Sequence, residues 1–399
     1  MEILYTTLQS ELAQVIRDRD DLASHGVMTF KMLWTIFEPG HFIYAKLHDQ
    51  DRIYKILTAK YDTASNKKVY KIDYQSVQYD GTDFGYTKNT LNITDFIGTK
   101  RIRKLEAYPL NAHKNPKELK ARLTARGKMF EAYKGLHFLS YNGIALGTKR
   151  GNTRPKFNVN SRIIIDAKSY NRQSNSKLNL EIIETRNVDQ ADGSPATDED
   201  TDDGCVVLPQ STSQDPTRST GKKPVPPSQS ALTSDQHLLA SATVRGYSLR
   251  DKKWFLFSID DINDIVWHED AFASLVMPVD QKDLILSFAE SQVRNRGSFD
   301  DFIPGKGQGI IMLLAGPPGV GKTLTAESVA EEMRAPLYSV GAADLGSEFA
   351  SSGDGVGTKR GAGRPSELEN KLQEVLDLCS KWNAGKFSGS GLSFHESRS

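Results

Sequence analysis

The stretch GIIMLLAGPPGVGKT, residues 309–323, constrains this chain more than any other. Gly316, Gly321, Lys322 and Thr323 fill every fixed position of the G-x-x-x-x-G-K-[ST] pattern. The apolar run at 310–314 reads as a buried parallel strand. Beyond the loop, Ala326, Val329, Ala330 and Met333 recur at i, i+3, i+4 and i+7, the apolar face of a helix, with Glu327, Glu331 and Glu332 facing away. Glycines let the backbone turn tightly and bring its N–H groups against phosphate oxygens. A lysine at the helix start reaches the β- and γ-phosphates, the following threonine hydroxyl suits Mg²⁺, and the helix N-terminus adds partial positive charge. The residues expected to hold a nucleotide are Gly316, Pro317, Pro318, Gly319, Val320, Gly321, Lys322, Thr323 and Leu324, with Lys322 as the catalytic contact and Thr323 as the Mg²⁺ ligand.

With 399 residues the chain has room for two or three domains. Its 51 basic and 50 acidic residues nearly cancel, so no global charge points to nucleic acid or an anionic membrane. Two cysteines, Cys205 and Cys379, exclude a disulfide framework and suit a reducing compartment. No apolar run approaches the roughly 20 residues that span a bilayer, and the N-terminus lacks the apolar core of a signal peptide. The expectation is a soluble, intracellular, cytoplasmic protein.

Read in order, residues 1–25 read as an N-terminal helix with Leu4, Leu8, Leu12, Val15 or Ile16, and Leu22 on one stripe. Residues 26–186 read as an α+β, mostly β domain. Tyr70, Ile72 and Tyr74 alternate with Lys71 and Asp73 at the two-residue period of a half-buried strand. One helix is marked by Asn115 as cap, Pro116 at its first position and Glu118 completing a capping box. The basic runs at 100–104 and 117–128 read as solvated faces, with nucleic acid unlikely as a partner. Residues 187–235 pass from an acidic block, 198–203, into Ser, Thr, Pro and Gln, too polar to offset their ordering entropy, and read as a disordered linker. A hairpin follows, 244–249 and 254–259, able to complete the first domain as part of 240–262. Residues 271–294 have a helical pattern, 336–340 reads as a strand, and Ser366 with Glu369 opens a helix whose stripe is Leu368, Leu372, Val375, Leu376 and Cys379. Trp34, Trp254, Trp267 and Trp382 read as core or edge packing. Residues 268–384 make a nucleotide-binding domain and 385–399 a disordered tail.

GPPGVGKTLTAESVAE resembles the nucleotide-binding signature of AAA-type ATPases. With FDDFIPGKGQGIIMLLA, WHEDAF, VRGYSLRDKKW and LWTIFEPG, the likeness extends to a fungal group that pairs an AAA module with an N-terminal domain of unknown function. The resemblance implies an α/β P-loop NTPase, ATP and Mg²⁺ as cofactors, and ATP hydrolysis coupled to remodelling of a macromolecular partner. In the full-length family it implies a homo-oligomeric ring, usually a hexamer. It places residues 303–307 near the adenine. It also asks for a further strand carrying an Asp-Glu pair after the loop, and none is found. Where that strand is due, the chain gives GKFSGSGLSFHESRS. The expectation is therefore a C-terminally truncated ATPase, an incomplete parallel sheet with an exposed apolar edge, and a competing reading as a non-catalytic nucleotide-binding or interaction protein. A GTPase would want N-K-x-D, which the helical string at 370–373 does not supply. The absence of C-x-x-C and H-E-x-x-H leaves no metal site beyond Mg²⁺ in view.

Overall fold

The computed structural model describes residues 11–64, 67–149, 153–174, 178–183, 232–294, 310–317, 319–340, 365–388 and 391–394. Leu4, Leu8, most of the expected linker, residues 303–307, Pro318 and the Gly/Ser-rich stretch 347–364 lie outside these.

Helix α1, Ala13–Ser24, opens the described chain and buries no residue fully. Only Leu22 of its stripe packs on the core, while Leu12 is 39% exposed. Strand β1, Val27–Thr29, pairs with β6, Thr99–Arg101. Between them lie β2, Phe42–Leu47; β3, Gln50–Ala64; β4, Lys67–Tyr79; and β5, Phe84–Thr94. With β7, Ala107–Pro109, and β10, Glu181–Ile182, these four form a six-stranded sheet ordered β10-β5-β4-β3-β2-β7. Alternation builds its inner face: Tyr70, Ile72 and Tyr74 are buried on β4 and their neighbours are half-buried.

Helix α2, Pro116–Ala132, starts one residue after Asn115, but the expected capping box is not made. The Asn115 side chain donates to Glu118 Oε2 at 2.9 Å and accepts nothing from the backbone. The basic residues of this helix are partly committed inward: Arg122 pairs with Asp51, and Arg126 is buried and donates to the Asp51 carbonyl at 2.6 Å.

A second sheet follows. Strands β8, His137–Leu146, and β9, Lys156–Ile165, pair over their whole length. Helix α3, Ala167–Gln173, is capped by the Asp166 side chain, which accepts from the Ser169 N–H. After residue 231, helix α4, Ser234–Leu238, opens with a capping box between Thr233 and Gln236. Leu232 is 6% exposed, so ordered packing resumes inside the segment expected as linker; one apolar anchor and a cap outweigh the polar composition. Strands β11, Thr243–Ser248, and β12, Lys253–Ser258, form the hairpin and join β9 and β8, with β13, Ile262–Asn263, on the outer edge. Leu256 of β12 meets Leu146 of β8, so the sheet closes on itself. The hairpin, distant in sequence, thus supplies two of the strands around which the first domain's second core is built.

Helix α5, Val279–Arg294, starts later than its pattern suggested, because residues 271–278 form turns whose Phe272 and Leu275 pack elsewhere. Then come β14, Ile310–Met312; α6, Lys322–Glu332; β15, Leu337–Val340; α7, Pro365–Trp382; β16, Gly385–Ser388; and β17, Gly391–Phe394. Because α7 already begins at Pro365, Ser366 lies within the helix and not at its cap. The incomplete parallel sheet is corrected here, as is the tail expected as disordered where it forms strands at 385–388 and 391–394; 389–390 and 395–399 lie outside the described residues. Strands β16 and β17 pair with each other and insert between the other two, giving order β14-β17-β16-β15. Only β15 and β16 run parallel; β17 runs antiparallel to both its neighbours. A polar, glycine-rich segment lacks its own apolar period but can still fill open ladder positions through its backbone. Among the described residues no helix is long and apolar enough to cross a membrane.

Helix α2 packs closely on α4 at Gly127. A Cβ at Gly127 would stand 2.1 Å from the His237 carbonyl oxygen. Alanine in a helix gains roughly 1 kcal/mol over glycine, but overpacking typically costs about 1–3 kcal/mol, and a backbone contact cannot rotate away. Gly127→Ala is therefore expected to lose about 2 kcal/mol net in urea unfolding; a variant as stable as the parent would contradict this packing.

Candidate functional site

The turn between β14 and α6 depends on glycine at two points. Gly319 and Gly321 adopt φ values of 84° and 89°, which L side chains rarely take. A Cβ on Gly316 would come within 3.0 Å of Val320 Cγ2. Gly321 is the N-cap of α6 and carries no side-chain cap bond. The first N–H groups of the helix thus have no side-chain acceptor of the usual kind, and the positive end of its dipole meets the loop.

Lys322, first in the helix, turns back over this loop. Its Nζ donates to the carbonyl oxygens of Gly316 and Pro317, each at 2.8 Å. Both acceptors are neutral, and among the described residues no carboxylate pairs with Lys322. Thr323 and Leu324 are exposed, as is Val320. Thr325, absent from the expected set, closes the first turn: its N–H and hydroxyl reach the Gly321 carbonyl at 2.8 and 3.1 Å. The residues at hand fit a polyphosphate: a cradle of glycines, a cation with no carboxylate partner and open helix N–H groups.

The neighbouring strand offers less. The strand paired with β14 is β17, GLSF, and the next is β16, GKFS; neither holds a carboxylate. Among the described residues no three His, Cys, Asp or Glu side chains gather to hold a metal. Asp260 and Asp261, the acidic pair of the first domain, face Arg126 and Tyr141.

Helix α6 is held from behind. Ala326 and Val329 are buried against Phe272 and Leu275, and Ala330 is buried as well. Glu331, expected to face away, instead forms a 2.6 Å ion pair with Arg162 of β9 and accepts from the His268 N–H at 3.3 Å. Arg162 also lies 4.6 Å from the centre of the Trp267 ring. On α7, Lys381 Nζ donates to both oxygens of Asp166 at 2.8 Å and to the Ser169 hydroxyl at 2.7 Å, while Trp382 Nε1 donates to Asp166 at 2.9 Å. Around this bond set Tyr247, Tyr338, Trp382 and Cys379 form a buried cluster, with the two tyrosine hydroxyls 2.8 Å apart. The first domain covers the apolar surface of β15 and the end of α7, while Leu313, 75% exposed, and Leu324 stay open as expected. Sequence reading missed this junction because its partners stand 91 to 216 positions apart; the local signal was Asp166 three residues before Ser169, the spacing of a helix N-cap.

Residues 312–383 match the family described as ATPase family associated with various cellular activities (AAA), and residues 18–114 match a domain of unknown function (DUF7025). Over 81 residues the chain is 38% identical to the ATP-dependent zinc metalloprotease FtsH 2 of Salinibacter ruber (strain M8). That alignment covers 20% of this chain and 11% of the relative, so the chain matches only about a tenth of that protein. No solved structure matches the chain. The family match supports an ATPase-type, nucleotide-binding segment at 312–383.

Burial alone would raise the Asp166 carboxyl, yet the bonds from Lys381, Ser169 and Trp382 hold it below the ordinary carboxylate value. A carboxyl held below its unfolded value stabilises the fold fully above that value and loses the contribution as pH falls through the folded one. Asp166→Asn is therefore expected to cost about 3 kcal/mol at neutral pH, the low end for breaking a buried pair, because Lys381 keeps some solvent. In thermal melts the gap from the parent should narrow as pH drops below about 4. A gap that stays constant into acid would contradict the role given to the Asp166 charge.

Proposed function

We propose that the segment from residue 310 onward binds ATP with Mg²⁺. The phosphates would lie in the loop of Gly316, Pro317, Pro318, Gly319, Val320 and Gly321, against Lys322, Thr323 and Leu324 at the head of α6. The observation that carries this reading is the Lys322 ammonium, poised over two neutral carbonyls beside open helix N–H groups. Phosphate oxygens would replace those carbonyls as charged acceptors, whose bonds are roughly twice as strong as neutral ones. The exposed Thr323 hydroxyl would hold Mg²⁺, which when bound neutralises the β- and γ-phosphate charge. The division that goes with this reading is an α+β domain over 26–186, completed by 240–262, and a nucleotide-binding domain from 268 whose sheet runs on through 385–394.

Binding and cutting need different residues. Hydrolysis requires a group that positions or activates water, commonly a carboxylate on the neighbouring strand. Neither β17, GLSF, which pairs with β14, nor β16, GKFS, holds one. Loss of one such group costs about 10² to 10⁴ in rate. We therefore infer nucleotide binding with little turnover by these 399 residues. ATP hydrolysis is the second reading, favoured by the family match at 312–383. Remodelling of a protein partner and assembly into a homo-oligomeric ring are proposals for a longer protein of this kind, in the reducing cytoplasm that two cysteines suit.

The test is ATP binding and turnover by the whole chain and by Lys322→Ala. The account expects ATP·Mg²⁺ to bind the parent at least tenfold more tightly, with both chains hydrolysing at indistinguishable, near-background rates. Equal affinity would remove the loop as the site. Fast turnover abolished in Lys322→Ala would replace the first reading by the second.

A further inference from the structure

A cavity of about 240 Å³ lies in the first domain, between the six-stranded sheet and the closed one. Three guanidinium groups border it, from three separate places in the chain: Arg52 on β3, Arg154 just before β9 and Arg245 on β11. His48, in the β2–β3 turn, is a fourth basic group on its wall. Among the described residues no Asp or Glu lines it. The carboxylates nearby in sequence are engaged elsewhere: Asp49 bonds Lys156, and Asp51 bonds Arg122 and Tyr44.

The arginines are placed but not satisfied. Arg245 Nη1 donates to the Tyr79 carbonyl at 2.7 Å, yet its Nε is buried without a hydrogen-bond partner. Arg52 Nε is likewise buried and unpartnered. Arg154 Nη1 reaches the Gly147 carbonyl at 3.1 Å, which orients its planar fork. Like charges meet here as well. Burial draws Arg245 down to about 10, and Arg154 pushes in the same direction. Burial, Arg52, Arg154 and Lys156 together lower His48, against a weaker pull from Asp49. Hydroxyl donors complete the wall: Ser76 and Thr87, 3.1 Å apart, and Thr243.

We propose that this cavity is a binding site for a small tetrahedral oxyanion of the phosphate class, as inorganic phosphate or a small phosphate ester. Its volume falls below the roughly 300–1,000 Å³ of pockets for drug-sized ligands, which leaves room for the anion and a short organic group. Guanidinium groups are always charged and offer forked donors that match phosphate oxygens. Three of them, brought together from separate segments of the chain, match an anion of about −1.5 to −2 charge better than a single carboxylate. The site is separate from the Lys322 loop and does not depend on it.

The experiment is calorimetric titration of inorganic phosphate into the full chain carrying Lys322→Ala, which silences the loop. One saturable site per chain is expected, weakened at least tenfold by adding Arg154→Gln, with the circular dichroism spectrum unchanged. Should glutamine at 154 unfold the chain, Arg154→Lys, which keeps the charge and loses the fork, is read by the same tenfold criterion. No saturable binding at millimolar phosphate, or affinity unaffected by the change at 154, would overturn the site. Acetate competing as well as phosphate would overturn the phosphate class.

Discussion

The Asp166 carboxylate joins the two halves of this chain. It caps α3 through the Ser169 N–H and takes three further donor contacts from Lys381 and Trp382 at the end of α7. At 2% exposure, an unpaired carboxylate in that place would be strongly unfavourable. The first domain therefore needs the end of α7 as much as α7 needs the first domain. The aromatic cluster around Tyr247, Tyr338 and Trp382 adds burial to the same junction, and the Arg162–Glu331 pair adds a second charged link directly to the phosphate-loop helix.

This has a consequence for the candidate site. Helix α6 carries the loop at one end and Glu331 at the other, with its buried side packed on Phe272 and Leu275. The loop itself has few contacts beyond Lys322 bridging two carbonyls. A rigid helix with an open, positively polarised N-terminus is a prepared anion site, since the donors are already oriented and ligand binding need not order them. What the arrangement lacks on β16 is a carboxylate near that anion. Position and charge favour holding a nucleotide; neither β17, which pairs with the loop's strand β14, nor β16 carries a carboxylate.

Much of this was legible locally. The glycine spacing located a loop whose Gly319 and Gly321 do need positive φ, and the i, i+3, i+4 stripe of Ala326, Val329 and Ala330 is buried as read. Alternation at Tyr70, Ile72 and Tyr74 gave a strand with the correct inner face. Local signals failed where backbone pairing or distant charge decides. GKFSGSGLSF has no apolar period, yet its backbone groups complete a sheet. Glu331 sits on the polar side of its helix, yet Arg162, far away in sequence, draws it inward. The arginines of the first domain are separated by 102 and 91 positions, and only the closing of the second sheet brings them round one cavity.

The central claim is that the Gly316–Thr323 loop receives nucleotide on a helix already anchored to the first domain. Hydrogen–deuterium exchange of the whole chain, with and without saturating ATP·Mg²⁺, tests it most directly. The account predicts slowed exchange of the amides at 319–325, with those of β9 and β11 already slow before ATP is added. Exchange at 319–325 that ATP leaves unchanged would contradict it.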